Sequence, residues 1–343
     1  MKDLKQIPDR PGGNSRPERS QPKRRLIHLV LALLVTCAIL IVFLRRTRWE
    51  DVAAAFSSIP PIALGLYMLL SLMGTAVRSI RYRILLSGRI GRVEMFLITL
   101  VQNFSVDLLP ARSASFVFYA SLTRQRGIRL EEGASSFVFA VFYDALALGL
   151  MLGAAASILV GSLGGDVPAR SIAWGLAVVI ALSLLVIILA RPLAGWTRKI
   201  SRTMGLARIE AVLAALEDYF SRHRAISERI QLLGLSLAVK AIKYVSLYVL
   251  FVGVSGAAVS PRSLSLFSFG IAGAELSSFL PIQGLAGLGT WEAAFALVAG
   301  KIGLTLQNPF LTALVIHLVT QVWEYGLGLS ALWILSVKSR GRA

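Results

Sequence analysis

The chain has 343 residues, of which 56% are hydrophobic, with a mean hydropathy of +0.70 and a formal net charge of +18. That apolar share excludes an ordinary soluble protein, and the basic residues, gathered mostly between apolar runs without a stacking-aromatic or zinc-finger pattern, exclude a nucleic-acid reading. The single cysteine, Cys37, and three histidines supply neither a disulfide framework nor a metal site, and no cofactor is expected.

Residues 1–25, rich in Pro, Gly and charge, read as a disordered basic arm that Lys23, Arg24 and Arg25 hold in the cytoplasm. The first span follows at 26–44. It is too long for the apolar core of a signal peptide, and LRRTRWED offers no small-residue cleavage pattern. A second span covers 60–77, with Pro60 and Pro61 where a helix start tolerates them. Arg78, Arg81, Arg83, Arg89 and Arg92 then place a 78–93 loop in the cytoplasm.

Residues 94–109 enter the membrane, meet Pro110 in SVDLLPARSAS, and leave as ARSASFVFYASL before Arg124, Arg126 and Arg129. Basic residues on both flanks predict a hairpin opening to the cytoplasm. Spans at 134–160 and 171–190 follow. In the polar stretch 191–229, Ile209, Val212, Leu213, Leu216 and Phe220 recur at helical spacing, which predicts an amphipathic helix on the cytoplasmic surface.

Residues 230–254 span outward, and 264–280 re-enter to a second break around Pro281 in SSFLPIQGLAGLGTWE. Residues 285–300 leave and 310–337 return to a cytoplasmic tail, 338–343, carrying Lys338, Arg340 and Arg342. The fold class is therefore all-α: a polytopic membrane protein with six spanning helices and two broken re-entrant segments, forming one transmembrane domain over 26–337. Two interrupted segments at corresponding places in two halves also fit an inverted repeat.

A charge at the centre of a span costs about 2.5–3.5 kcal/mol on insertion scales, so each one needs a reason. The candidates are Asp107, Arg112, Asp144, Lys240, Lys243, Glu275, Glu292, His317 and Glu324. His317, Thr320, Gln321 and Glu324 form one polar stripe, which serves either as an interhelical hydrogen-bond seam or as a site facing water. Glu324 wants a cation such as Lys240 or Lys243. Lys240 either snorkels to the headgroups or reaches inward, whereas Lys243, one turn deeper, pairs with Asp144 or Glu324 or binds phosphate.

Arg112, just past Pro110, suits bidentate phosphate binding at a helix start. At the second break Gly284, Gly287 and Gly289 permit a tight turn, Thr290 is placed to cap the helix through Glu292, and the N–H groups there would form an anion nest. Those glycines equally serve close helix packing.

The ending RSIRYRILL, the LLPAR around Pro110 and Arg112, and above all LPIQGLAGLGTWEAA resemble the membrane domain of lysylphosphatidylglycerol synthetases and related flippase-like proteins, over about residues 26–337. Pro110 and Arg112 match the first family motif. Pro281, Gly287, Gly289 and Glu292 match the second. Ala114 and Ser115 stand where the family often has Gly and Glu, so Asp107 is left as the substitute carboxylate.

The resemblance implies movement of a phospholipid or lipid-linked glycolipid between leaflets of the cytoplasmic membrane. Its partners would be lipids with anionic or phosphate-bearing headgroups and a lipid-biosynthesis enzyme. With Ala343 following the last span, lipid aminoacylation is not expected, and no catalytic constellation marks an enzyme. The rival readings are a membrane-embedded transferase acting on a lipid carrier and a non-catalytic partner of a lipid-modifying enzyme.

Overall fold

The computed structural model describes residues 49–108, 112–163, 226–277 and 285–340. Its described helices are α1 (Trp49–Ser57), α2 (Pro61–Leu85), α3 (Arg92–Leu108), α4 (Arg112–Arg124), α5 (Leu130–Leu163), α6 (Ile226–Ser255), α7 (Pro261–Ser277), α8 (Thr290–Lys301) and α9 (Pro309–Arg340), with a 3-10 turn at Leu285–Gly287 before α8. The basic arm, the spans expected at 26–44 and 171–190, and the amphipathic segment as far as residue 225 lie outside the described residues.

Length separates the helices into two kinds. Among the described residues, Pro61–Leu85, Leu130–Leu159, Ile226–Ser255 and Pro309–Lys338 are long and apolar enough to cross a membrane. α3, α4, α7 and α8 have 17, 13, 17 and 12 residues. At 1.5 Å per residue each reaches only ~18–26 Å, short of the ~30 Å hydrocarbon core. They are the limbs of the two broken segments. On α2, Ile62, Leu66, Leu69, Met73 and Ile80 are exposed along one helical stripe, an apolar face suited to lipid.

The helix expected to end at residue 77 runs instead to Leu85, so Arg78, Arg81 and Arg83 are helical rather than part of a loop. The backbone continues because Arg81, with no exposed surface, bonds Asp144 of α5 and Ser236 of α6 rather than water. Likewise α6 starts at Ile226, taking in the last residues of the segment read as amphipathic.

The packing falls into two related halves. The limbs α3 and α4 pack on each other, as do α7 and α8, and each pair bridges α5 and α9. Exchanging α2–α5 for α6–α9 carries most of the packing onto itself: α4–α5 becomes α8–α9, α3–α9 becomes α7–α5, and α2–α6 maps onto itself. The pattern of contacts is what an internal repeat would give. Two contacts depart from it among the described residues: α2 packs on α3 more extensively than α6 on α7, and the α5–α6 contact has no counterpart of similar extent between α9 and α2.

Two apolar cores place the hairpins. Tyr82 and Leu85 of α2 and Ala331 and Leu335 of α9 pack with Met95, Val101 and Tyr119 of the first hairpin. Tyr67 of α2 and Ala313 and Ile316 of α9 pack with Phe267, Ile271 and Phe295 of the second. Ile316 and Ala331 are 15 residues apart on one helix, ~22 Å of rise. The hairpins therefore enter from opposite ends of the bundle, each filling one end.

At the open end of the first hairpin, Arg126 beyond α4 meets Glu94 at the start of α3 at 2.5 Å, and Arg89 and Arg129 share Glu132. The two flanks thus lie together, as a re-entrant segment requires. With Cys37 replaced by Ser, cysteines introduced at Gly91 and Gln125 should react with an impermeant maleimide from the same side of the membrane. Labelling from opposite sides would show a full crossing instead.

Candidate functional site

The second break carries a backbone that must be satisfied at depth. Ala286 and Gly287 lie at φ 55° and 78°, and Gly289 at φ 87°. Positive φ suits glycine and strains alanine, so Ala286 needs a restraint. Gln321 of α9 supplies one: its Nε2 donates to the Ala286 carbonyl at 2.7 Å and lies 2.8 Å from His317 Nε2.

With both amide hydrogens so used, His317 Nε2 accepts and Nδ1 carries the proton. Nδ1 then donates to Glu292 Oε1 at 2.5 Å. The other amide orientation would set Gln321 Oε1 against the Ala286 carbonyl, two acceptors face to face. Glu292 Oε2 meanwhile accepts the Gly289 N–H at 2.6 Å, and Glu292 has no exposed surface.

These contacts revise the reading of the break. Gly289, not Thr290, is the N-cap of α8, and the Thr290 hydroxyl donates to the Gly287 carbonyl. The Gly289 N–H, expected to face an anion from outside, is taken by Glu292. His317 and Gln321 do form an interhelical seam, and its partner is the break itself. A Cβ on Gly287 would sit 3.5 Å from His317, so the turn also lies close against α9.

Between the two apolar cores lies a layer of charge. Arg81 binds both oxygens of Asp144, through Nη1 and through Nη2 at 3.1 Å, and Nη1 also donates to Ser236 Oγ at 2.7 Å. Glu275 of α7 receives Lys240 Nζ at 2.9 Å on Oε2, Lys243 Nζ at 2.7 Å on Oε1, and the Tyr244 hydroxyl at 3.3 Å. The pairing expected for Lys243 with Asp144 or Glu324 is therefore replaced by Glu275, and Lys240 follows it. The spacing explains the change: Lys240 and Lys243 are i and i+3 on one face of α6, which places both heads around one carboxylate on the neighbouring limb. Lys243 keeps 42% of its side chain exposed, against 13% for Lys240.

Glu324 lies partly buried on α9, one turn beyond Gln321. α4 begins at Arg112. The side chains of Asp107 and Arg112, together with Pro110, Pro281 and Gly284, lie outside the described residues. The Leu285–Gly287 turn packs against α3 of the first hairpin.

Arg81 and Ser236 were not among the residues singled out from sequence. The Arg run beyond residue 77 matches a cytoplasmic loop equally well, and only the carboxylate at Asp144, itself in need of a cation, could have pointed inward to one of its members.

The family described as lysylphosphatidylglycerol synthase TM region matches the chain over residues 29–328. No curated protein matches it.

Removing one partner of the Arg81–Asp144 pair should cost about 3–5 kcal/mol, since it strands a buried charge. Asp144→Asn should lower the temperature at which the detergent-solubilised protein stays monodisperse by size exclusion, and Arg81→Met with Asp144→Leu should recover most of the loss. Wild-type stability in Asp144→Asn would show that the pair does not hold α2, α5 and α6 together.

Proposed function

The chain belongs to the lysylphosphatidylglycerol synthase transmembrane-region family, and we propose from that membership that it moves a lipid with an anionic or phosphate-bearing headgroup between membrane leaflets. Membership supports a membrane protein of lipid-related function. The finer reading rests mainly on one observation: the broken turn of the second hairpin seats on α3 of the first, in a bundle whose interior also holds the Lys240–Glu275–Lys243 cluster. A repeat-built bundle with discontinuous helices meeting in its interior is the physical arrangement of many secondary transporters.

In this reading Arg112, at the start of α4, and Lys243, the more open of the two lysines, hold the lipid phosphate, with Lys240 and the glycine turn beside them. Asp107, Asp144, Glu275, Glu292, His317 and Glu324 balance charge or carry coupling protons. No covalent bond is made or broken, so the protein is a transporter rather than an enzyme. It works in the cytoplasmic membrane with both termini inside, on lipid delivered by a biosynthetic enzyme.

The test is headgroup exposure in proteoliposomes carrying fluorescent phosphatidylglycerol, read by bleaching of the outer leaflet with dithionite. Arg112→Ala should slow outer-leaflet appearance by about tenfold or more, the scale of a lost charge-assisted hydrogen bond. Glu292→Ala should do the same by releasing the turn. Wild-type rates in both variants would overturn the assignment of the site.

A further inference from the structure

Arg78 is a second cation on the inner face of α2, one turn before Arg81, and its bonding is of another kind. Arg81 has spent both terminal nitrogens on Asp144 and Ser236. Arg78 gives only Nη1 to a described partner, the Asn103 Oδ1 of α3, and that partner is neutral. Its Nε, like that of Arg81, is buried without a hydrogen bond among the described residues, so what sets Arg78 apart is the neutral partner and the Nη2 group that no described acceptor receives. Asp144 is within electrostatic range, but its oxygens are bonded to Arg81.

Asn103 is itself fixed. Its Nδ2 donates to Thr75 Oγ1 at 3.2 Å, and the Thr75 hydroxyl donates to the Ser71 carbonyl at 3.0 Å. That chain sets which way the amide points and so aims its oxygen at Arg78. The guanidinium is thus held at one corner by an acceptor that orients it without cancelling its charge. The Nε–Nη2 edge is left over. Two parallel N–H groups on one edge match two oxygens of a phosphate or carboxylate. A residue kept for stability alone would be served better by a carboxylate partner, as Arg81 is, because an uncompensated cation in a partly buried position is costly.

We infer that Arg78 is a binding residue for a phosphate oxyanion at the seam of α2 and α3, held ready by Thr75 and Asn103. The assignment rests on the lipid-transport reading for the source of that phosphate, a lipid headgroup, while the chemistry of the edge admits a free phosphate as well. The seam lies against the first hairpin, so a headgroup gripped there is beside the limb that carries the LLPAR break.

Binding can be read apart from transport. The purified full-length protein in detergent is titrated with dioleoylphosphatidylglycerol, with dioleoylglycerol lacking the phosphate, and with inorganic phosphate as competitor, and retained lipid is counted by native mass spectrometry. Arg78→Gln should weaken phosphatidylglycerol binding by about tenfold or more and leave dioleoylglycerol unchanged. Arg78→Lys, which keeps the charge and loses the fork, should fall between. Asn103→Leu should weaken binding while Arg78 is intact, the signature of a positioning residue.

Competition by inorganic phosphate in the wild type, lost in Arg78→Gln, would assign the edge to free phosphate. Its absence would assign the edge to the headgroup. Equal phosphatidylglycerol affinity in wild type and Arg78→Gln overturns the inference. So does wild-type affinity in Arg78→Gln with Asp107→Asn, which would mark the edge as an internal pair with Asp107. Wild-type protein that binds phosphatidylglycerol but does not move it would instead count against the transport reading alone.

Discussion

Glu292 has no exposed surface, yet a helix start, a histidine and a sharp turn all converge on its carboxylate. A chain broken at membrane depth exposes N–H and C=O groups that cost several kcal/mol each unless protein satisfies them. Here α8 supplies the acceptor for its own first N–H, while α9 supplies His317 to hold that acceptor and Gln321 to cover the Ala286 carbonyl. The turn can therefore project into the bundle interior as far as α3 without unravelling. Without that set the second hairpin would have to be a plain helix, and the turn would not reach α3.

The buried charges divide by how they are neutralised. Arg81 and Asp144 face each other with bidentate geometry and Ser236 as an added acceptor, the conditions under which a buried pair recovers its desolvation cost. Glu275 instead serves two lysines, and Lys243 keeps much of its length in the open. Arg78 has only a neutral amide.

Much of this could be read from residue order. Apolar runs of about 20 residues gave the four described spans, Pro110 and the glycines after Pro281 marked the breaks, and arginines on both flanks of 94–122 gave the first hairpin its shape. His317 and Gln321 were visible as a stripe because helical spacing is a local property. Ion-pair partners were not visible. Asp144 lies 63 residues from Arg81 and Glu275 lies 35 from Lys240, and nothing local distinguishes a cation that turns inward from one that meets headgroups. Arg81 was the costliest case, because it stands among neighbours that fit the cytoplasmic-loop pattern equally well.

The near-exchange of the two halves gives the α5–α6 contact a particular meaning. Most contacts have a partner under the exchange, although α2 packs on α3 more extensively than α6 on α7, and among the described residues α5 packs on α6 where α9 does not pack comparably on α2. A bundle built from two related halves that interconvert, the physical basis of alternating access in repeat-built transporters, reaches its second state by trading such unmatched contacts. The Arg81–Asp144–Ser236 set lies across this one, with Asp144 on α5, Ser236 on α6 and Arg81 reaching between them from α2. A buried ion pair thus stands at a contact that the exchange of halves leaves without a counterpart. Its role there is to fix three helices in register rather than to add stability, since an apolar replacement of both partners serves nearly as well while the loss of one partner strands a buried charge.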